Sequence, residues 1–158
     1  MDPYVIAKWL HILSSTVLFG TGIGTAFQMV FAMYRAEPRH IAGTASGVVL
    51  ADWLFTTPAG VVQPATGLWL ALLAGHSLAE PWLLLTYALY LLAFACWLPV
   101  VRLQQRICKL AHAAVAGGTP LPPELHRAYR LWFALGWPAF GALLVIYWLM
   151  VTKPPLWG

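Results

Sequence analysis

Four long apolar stretches, separated by short polar connections, constrain what this chain can fold into. Each is long enough to cross the hydrocarbon core of a bilayer, which takes about 20 mostly apolar residues of helix. Of the 158 residues, 61% are hydrophobic and only 9% are charged, against about 25% charged in a soluble domain. So few charged groups cannot cover the surface of a soluble protein. The sequence therefore predicts an integral membrane protein whose fold is an all-α four-helix bundle.

The predicted spans leave no room for a separate soluble domain, so we expect one transmembrane domain over residues 1–158. The approximate bounds of the spans are 4–33, 41–75, 81–109 and 123–153. The second stretch is too long for one straight span, and its middle reads TTPAGVVQPATG. Pro58 and Pro64 each lack a backbone donor there, which predicts a kinked or broken second helix. Gln63, beside Pro64, is placed to satisfy the backbone groups that such a kink frees.

Basic residues are distributed unequally between the two ends of the spans. The first and third loops and the adjoining helix ends hold Arg35, Arg39, Arg102, Arg106, Lys109, Arg127 and Arg130. The opposite side holds Lys8 and Lys153. By the positive-inside rule, this asymmetry predicts that both termini face outward, away from the cytoplasm. Because the basic residues flank spans and form no separate domain, we expect the lipid bilayer as partner and no nucleic acid.

His11 is the most informative side chain, since ionisable groups within a membrane are costly and usually face the bundle interior. On a helix, the residues around its face are Lys8, Ser14, Ser15, Leu18 and Gly22. This strip of small residues leaves space for a flat molecule or for a neighbouring helix. Three interpretations follow: an axial ligand of haem b, a structural histidine bonded to a neighbouring span, or a proton-relay or copper-site residue.

The haem interpretation predicts a site at the outer end of the bundle. His11 would ligate the iron, with His76 or Met150 as a possible second ligand, and a single protein ligand is equally open. Lys8 and Lys153 would suit the haem propionates. Ser15 and Gly22, on the face of His11, would complete the cofactor site.

The glycine cluster GTGIG does not predict a phosphate loop, because that motif needs a strand before it and a helix after it. Gly20 and Gly24 form a small-xxx-small pair, which predicts close contact between helices in lipid.

Asp52 lies deep in the second span, where a charge is expensive. It could pair with Arg130 or another basic residue at the cytoplasmic end, or stay protonated. It could also make a helix-orienting hydrogen bond beside Trp53, or have a role with a proton or a substrate. The aromatic residues that we expect to pack or to lie at the interface are Tyr129, Trp132, Trp137, Trp148 and Trp157.

Three segments carry a family resemblance: KWLHILSSTVLFGTGIGTAF, QPATGLWL and VTKPPL. Through them, and over nearly the whole chain, the sequence resembles an uncharacterised group of bacterial integral membrane proteins, domain-of-unknown-function family 2269. More distantly it resembles the HemJ-type membrane protoporphyrinogen IX oxidases and the CopD-type membrane domains. The HemJ type is similar in a Lys-x-x-His pattern, a Pro…Thr-Gly-x-x-Leu pattern and a final Val-x-Lys-Pro. That resemblance implies a haem b-associated four-helix bundle, in which His11 matches a candidate haem ligand and Lys153 the terminal lysine.

Two patterns of those oxidases are missing. Trp82 is followed by Leu-Leu-Leu-Thr, without the lysine of a Trp-x-x-x-Lys pattern, and Pro138 is preceded by Leu-Gly-Trp rather than by an Asn-Glu pair. The expected function is a haem b redox protein of the inner membrane, in electron transfer or porphyrin(ogen) oxidation. We expect a homo-oligomer with a membrane or soluble redox partner. The alternatives are a non-enzymatic scaffold or subunit of a larger complex, and a copper-handling protein; a transporter is less favoured.

Overall fold

Four helical spans make up most of the computed structural model, which describes residues 2–156. The elements are α1 (Pro3–Arg35), α2 (Pro38–Ala51), a π-helical turn (Asp52–Thr56), α3 (Thr57–Leu73), α4 (Pro81–Gly117) and α5 (Pro123–Thr152). The second span comprises α2, the π turn and α3, and all four spans are long and apolar enough to cross a membrane. No β-strand occurs within residues 2–156. The predicted all-α four-span fold is confirmed; Trp157, an expected packing residue, lies outside the described residues.

Prolines and left-handed residues set the ends of the spans. The first residues of the four spans are Pro3, Pro38, Pro81 and Pro123. Proline suits this position because the first amides of a helix have no intrahelical acceptor. The Asp2 side chain caps α1 by accepting a hydrogen bond from the Tyr4 amide at 2.9 Å. α4 ends at Gly117, and the next residue, Gly118, has a φ of 60°, which is easily reached only without a Cβ.

α4 is longer than predicted. The expected third span ends near residue 109, whereas the helix continues to Gly117. The sequence becomes polar there, but Ile107, Ala111 and Ala114 recur at helical spacing and are buried. This stripe packs against α2 and α5. The helix therefore extends past the apolar run because one face of the extension remains in the core.

The interruption predicted in the second span is a π turn rather than a break. The Thr57 amide donates to the Asp52 carbonyl, five residues back instead of four. Pro58 follows at once, and in a regular α-helix its ring would clash with the carbonyl of Leu54. Widening the preceding turn is one way in which a helix accommodates such a proline. The turn also carries the buried side chains of Asp52 and Thr56.

Pro64 is accommodated by a neighbouring helix, and here the expectation for Gln63 is wrong. Pro64 cannot donate to the carbonyl four residues earlier, which belongs to Gly60. The hydroxyl of Tyr90, on α4, donates to that carbonyl instead. Gln63 bonds side chains of α1 and does not take this role. The freed carbonyl is satisfied from another span, as broken membrane helices require.

We expect Tyr90→Phe to destabilise the bundle by about 1–3 kcal/mol, because it leaves the Gly60 carbonyl without a donor in a part-buried site. Tyr34→Phe is the control, since Tyr34 is 85% exposed. Unfolding by SDS titration in mixed micelles measures both. Equal stability of the two variants would contradict this role of Tyr90.

Two buried clusters hold the bundle together, one at each end. The larger lies where α1 turns into α2 and α4 into α5, and comprises Met29, Ala32, Ile41, Ala42, Ala45, Val48, Ile107, Ala111, Leu125, Ala128 and Trp132. The smaller lies at the end that carries the termini, and comprises Ala71, Trp82, Leu83 and Leu149. Between them is a cavity of about 530 Å³ lined by all four spans. The bundle is thus packed at its ends and open in its middle.

α1 and α5 meet through side chains rather than through close backbone packing. Phe19 stacks on Phe140 with ring centroids 5.0 Å apart, and the Tyr147 hydroxyl donates to the Ser15 carbonyl at 3.0 Å. α1 packs more extensively on α3, and α5 on α4. The wider spacing of α1 and α5 leaves room between them.

The expected contact at Gly20 and Gly24 is not made within this chain. Among residues 2–156, no atom of another helix lies within 4 Å of a Cβ built at either glycine. The reason is that α1 uses its other face, around His11 and Ser14, to pack on α3. Close contact of this pair with a helix of another chain stays a prediction.

Candidate functional site

His11 lies at the interface of α1 and α3, against a glycine. A Cβ built on Gly67 would come 3.0 Å from the His11 Cε1 atom and 3.5 Å from Nδ1. Real side chains rarely pack so tightly, so the imidazole occupies the space that the missing side chain leaves. The small residue that accommodates the ring is thus on α3 and not on the face of His11's own helix.

A directed chain of hydrogen bonds surrounds the ring. The Thr66 hydroxyl donates to the Val62 carbonyl at 2.7 Å, so its oxygen can accept from His11 Nδ1, 3.0 Å away. On the other side, the Gln63 amide nitrogen lies 3.2 Å from His11 Nε2. The Ser14 hydroxyl donates to the Gln63 carbonyl oxygen at 2.5 Å, which fixes the amide orientation.

This network assigns the tautomer of His11. Nδ1 carries the proton, because it faces an oxygen that already uses its own hydrogen elsewhere. Nε2 then carries the lone pair and accepts from Gln63. A histidine that binds a metal through Nε2 usually donates its Nδ1 proton to an oxygen in this way. The ring therefore has the state that iron ligation needs, with the Gln63 amide covering the lone pair.

A cavity of about 160 Å³ adjoins His11 between α1 and α5, and Ser15 and Met150 line it too. The residues that line both this cavity and the larger one are Leu18, Tyr90 and Leu143. The two cavities are thus neighbours along the bundle. Of the two possible second iron ligands, Met150 shares a cavity with His11. The donor set of one imidazole and one thioether suits haem iron, so these residues fit the cofactor chemically.

His76 is held in a separate cluster at the loop before α4. Its Nδ1 lies 3.0 Å from a carboxylate oxygen of Glu80, and its Nε2 lies 3.3 Å from the Lys153 ammonium. Lys153 is also 5.6 Å from the ring centroid of Trp82. Both nitrogens of His76 are therefore engaged away from His11.

The remaining residues of the expected cofactor site are spread along the bundle. Lys8 is exposed, with its ammonium 5.9 Å from the centroid of the Tyr4 ring. Gly22 lines the larger cavity and not the smaller one. The structure thus groups His11, Ser15 and Met150, and places Lys8, Lys153 and Gly22 outside that group.

Asp52 is buried beside the larger cavity, with 5% of its surface exposed. One carboxylate oxygen accepts from the Thr56 hydroxyl at 2.9 Å, and the other has no hydrogen-bond partner within residues 2–156. Gln104 of α4 lies near the carboxyl without reaching hydrogen-bond geometry. The expected alternative of a pair with Arg130 is not seen, because the described residues give Asp52 no ion-pair partner.

Sequence reasoning missed Thr66 and Gly67 as neighbours of His11. Both belong to the segment QPATGLWL, which was informative only as a family pattern. The Thr66 hydroxyl accepts a hydrogen bond from the ring, and Gly67, which has no side chain, leaves room for it. A Thr-Gly pair opposite an intramembrane histidine was the available signal.

We expect Gly67→Ala to displace the His11 ring and to weaken its bond to Thr66, because the new Cβ would come within 3.0 Å of Cε1. In histidine-labelled protein, the ¹⁵N chemical shifts of the imidazole should change. Gly47→Ala is the matched control, since a Cβ there meets nothing within 4 Å. Unchanged His11 shifts in Gly67→Ala would contradict the contact.

The loop cluster predicts an acid-dependent loss of stability. The Trp82 indole N–H donates to Glu80 at 2.6 Å and, with smaller contributions from His76 and Ser77, lowers the pKa of Glu80 below its ordinary 4.5. A carboxylate with a lowered pKa stabilises the fold above its unfolded pKa, and this contribution is lost as the pH falls through the folded value. Thermal unfolding, measured from neutral to acidic pH, should show that wild type has a higher unfolding temperature than Glu80→Gln near neutral pH. This difference should disappear below pH 4.5. A difference that does not vary with pH would refute this.

The comparisons with known proteins bear on family and not on chemistry. No curated protein and no solved structure matches the sequence. A family model does match, over residues 5–154, and its description is "predicted integral membrane protein (DUF2269)". The match covers nearly the whole chain and agrees with the four apolar spans. The chain therefore belongs to the DUF2269 family of integral membrane proteins.

Proposed function

We propose that this protein is a haem b-binding redox protein of the membrane, in which Nε2 of His11 ligates the iron. The observation that carries the proposal is the state of the imidazole. The Nδ1 proton is assigned to Thr66, which leaves the lone pair on Nε2, and the ring lines a cavity together with Met150. This is the arrangement that orients a histidine toward a metal.

The shape of the bundle supports a flat cofactor. α1 and α5 are separated by aromatic side chains, and the cavity of about 160 Å³ beside His11 lies in that gap. Pockets for organic ligands commonly measure about 300–1,000 Å³, so a haem must widen this gap and would not fill the larger cavity. Binding at Nε2 requires the Gln63 amide to turn away, which breaks one hydrogen bond of 3.2 Å.

The residues of this chain would hold and tune the group. His11 would hold the iron, Thr66 would keep the ring in its tautomer, and Met150 is a candidate second ligand. Lys8, near the membrane surface, is available to a propionate. Haem b, when bound, supplies one-electron transfer, either to a redox partner or in porphyrinogen oxidation.

We further propose that the protein lies in the bacterial inner membrane with both termini in the periplasm. The basic residues of the first and third loops support this orientation. A homo-oligomer is supported by Gly20 and Gly24 of α1, because no other helix within residues 2–156 covers this small-xxx-small pair and such pairs pack helices closely in lipid. A redox partner would approach from the periplasmic end of the bundle, because His11 lies nearer to that end.

The test is the haem content of the purified protein. The chain is expressed with added 5-aminolaevulinate, extracted in mild detergent and assayed as the pyridine haemochrome. We expect about one haem b for each chain. A well-folded, single-species preparation without haem would refute the proposal.

A non-enzymatic scaffold or complex subunit is the second candidate, and one observation favours it. Both nitrogens of His11 already have partners inside the chain, so the ring also serves as a complete link between α1 and α3. A scaffold predicts colourless protein in which His11→Gln costs little. Haem-loaded wild type would rule it out.

A further inference from the structure

Unpaired polar atoms lie in side chains around the larger cavity, away from the residues proposed to hold haem. Four buried polar atoms of residues lining the cavity have no hydrogen-bond partner within residues 2–156: Asp52 Oδ2, Gln104 Oε1, Trp97 Nε1 and Trp132 Nε1. Three of these side chains, those of Asp52, Gln104 and Trp132, are more than nine-tenths buried. Buried polar groups in proteins are nearly always paired, so a cluster of unpaired ones calls for an explanation.

The cluster combines both kinds of hydrogen-bonding group. The Asp52 and Gln104 oxygens accept, whereas the two indole N–H groups can only donate. A ligand that satisfies all of them must therefore both donate and accept. A ring hydroxyl does both, and a ring carbonyl accepts. An ammonium group only donates and would leave the indoles unpaired.

The rest of the cavity is apolar and aromatic. Rings from α4 and α5 line it, namely Tyr90, Phe94, Trp97, Trp132, Phe133, Trp137 and Phe140. Aromatic rings favour offset stacking or edge contacts with another ring. Val61 and Trp137 line the cavity and are also 67% and 66% exposed. The cavity therefore opens on the lipid-facing side of the bundle, where a membrane-soluble molecule can enter.

We propose that this cavity binds a quinol of the membrane, with its hydroxyl-bearing ring at Asp52, Gln104 and Trp132 and its apolar tail toward the lipid opening. The four unpaired atoms are covered by protein in the free chain, so binding requires their side chains to turn toward the cavity. The site is separate from His11. Trp132 and Met150 differ by about 27 Å of helix rise along α5, at 1.5 Å per residue. Binding of the quinol therefore does not depend on the haem proposal.

Calorimetric titration of the protein in detergent with decylubiquinol and decylubiquinone tests this. We expect saturable binding of decylubiquinol, weaker binding of decylubiquinone, whose ring carbonyls only accept, and no binding of decylbenzene, which lacks the ring oxygens. Asp52→Asn keeps the shape of the side chain but replaces an acceptor, and should weaken binding about ten-fold or more. Gln104→Leu should weaken binding too. Gln28→Leu, at an exposed glutamine of α1, is the matched control and should bind as wild type.

His11→Ala separates this proposal from the previous one. It should bind the quinol as wild type whether or not haem is lost. The proposal is overturned if decylbenzene binds equally well, if folded Asp52→Asn retains full affinity, or if His11→Ala abolishes quinol binding. Asp52-dependent binding of tetraphenylphosphonium in place of either quinone form would assign the cavity to lipophilic cations and overturn it as well.

Discussion

His11→Ala is expected to lose its haem while keeping its fold. The iron would lose the one imidazole that lines the cavity between α1 and α5. The bundle should survive, because neither buried cluster includes His11. The haem content, measured as the pyridine haemochrome, should fall from about one for each chain to a small fraction of that value. The far-ultraviolet circular dichroism should stay unchanged. His76→Ala is the matched control, since His76 is bound to Glu80 and Lys153 and should retain haem.

The opposite result for the two variants would assign the haem site to different residues. Full haem content in His11→Ala, together with loss in His76→Ala, would place the iron at the loop cluster. Loss in both variants with unchanged folding would make each histidine a ligand, and would exclude Met150 from that role.

Leu125→Ala is expected to cost about 2–5 kcal/mol of unfolding free energy, the range for a fully buried leucine that leaves a cavity. Leu125 is 0% exposed within the larger cluster, where α5 packs on α2 and α4. Leu131→Ala, on the same helix, removes the same atoms from a side chain that is 52% exposed. It should cost under about 1 kcal/mol, as is usual for surface positions. Reversible unfolding in mixed SDS micelles measures both.

A similar loss of stability in both leucine variants would contradict the placement of the core. It would mean that the face of α5 carrying Leu131 is also buried, as in a tightly packed oligomer. Crosslinking of the same samples tells an oligomer interface from an error in the bundle.

The spans were predictable because hydropathy alone separates apolar runs from their connections. The end of α4 was not, since hydropathy falls there while Ile107, Ala111 and Ala114 still provide a buried helical stripe. The second span was predicted to be interrupted, but its prolines do not say how. Pro58 follows a π turn, whereas Pro64 stays in a regular helix because Tyr90 supplies the missing donor from α4. That partner depends on tertiary packing.

The candidate site was predictable in part. His11 stands out because it is ionisable and lies within a span, and the predicted topology places Met150 at the same end of the bundle. Its partners Gln63, Thr66 and Gly67 depend on which face α3 turns toward α1. The π turn adds a residue before α3, and one residue rotates a helix by about 100° at 3.6 residues per turn. A contact across two spans therefore cannot be read from spacing within either.

The absorption spectrum of the protein, purified in mild detergent and recorded before and after reduction with dithionite, tests the central claim most directly. The account predicts a strong Soret band and, on reduction, the sharp α and β bands of a low-spin b-type haem. A protein that elutes as one folded species after expression with ample haem supply, and that shows no Soret band in either state, would contradict it.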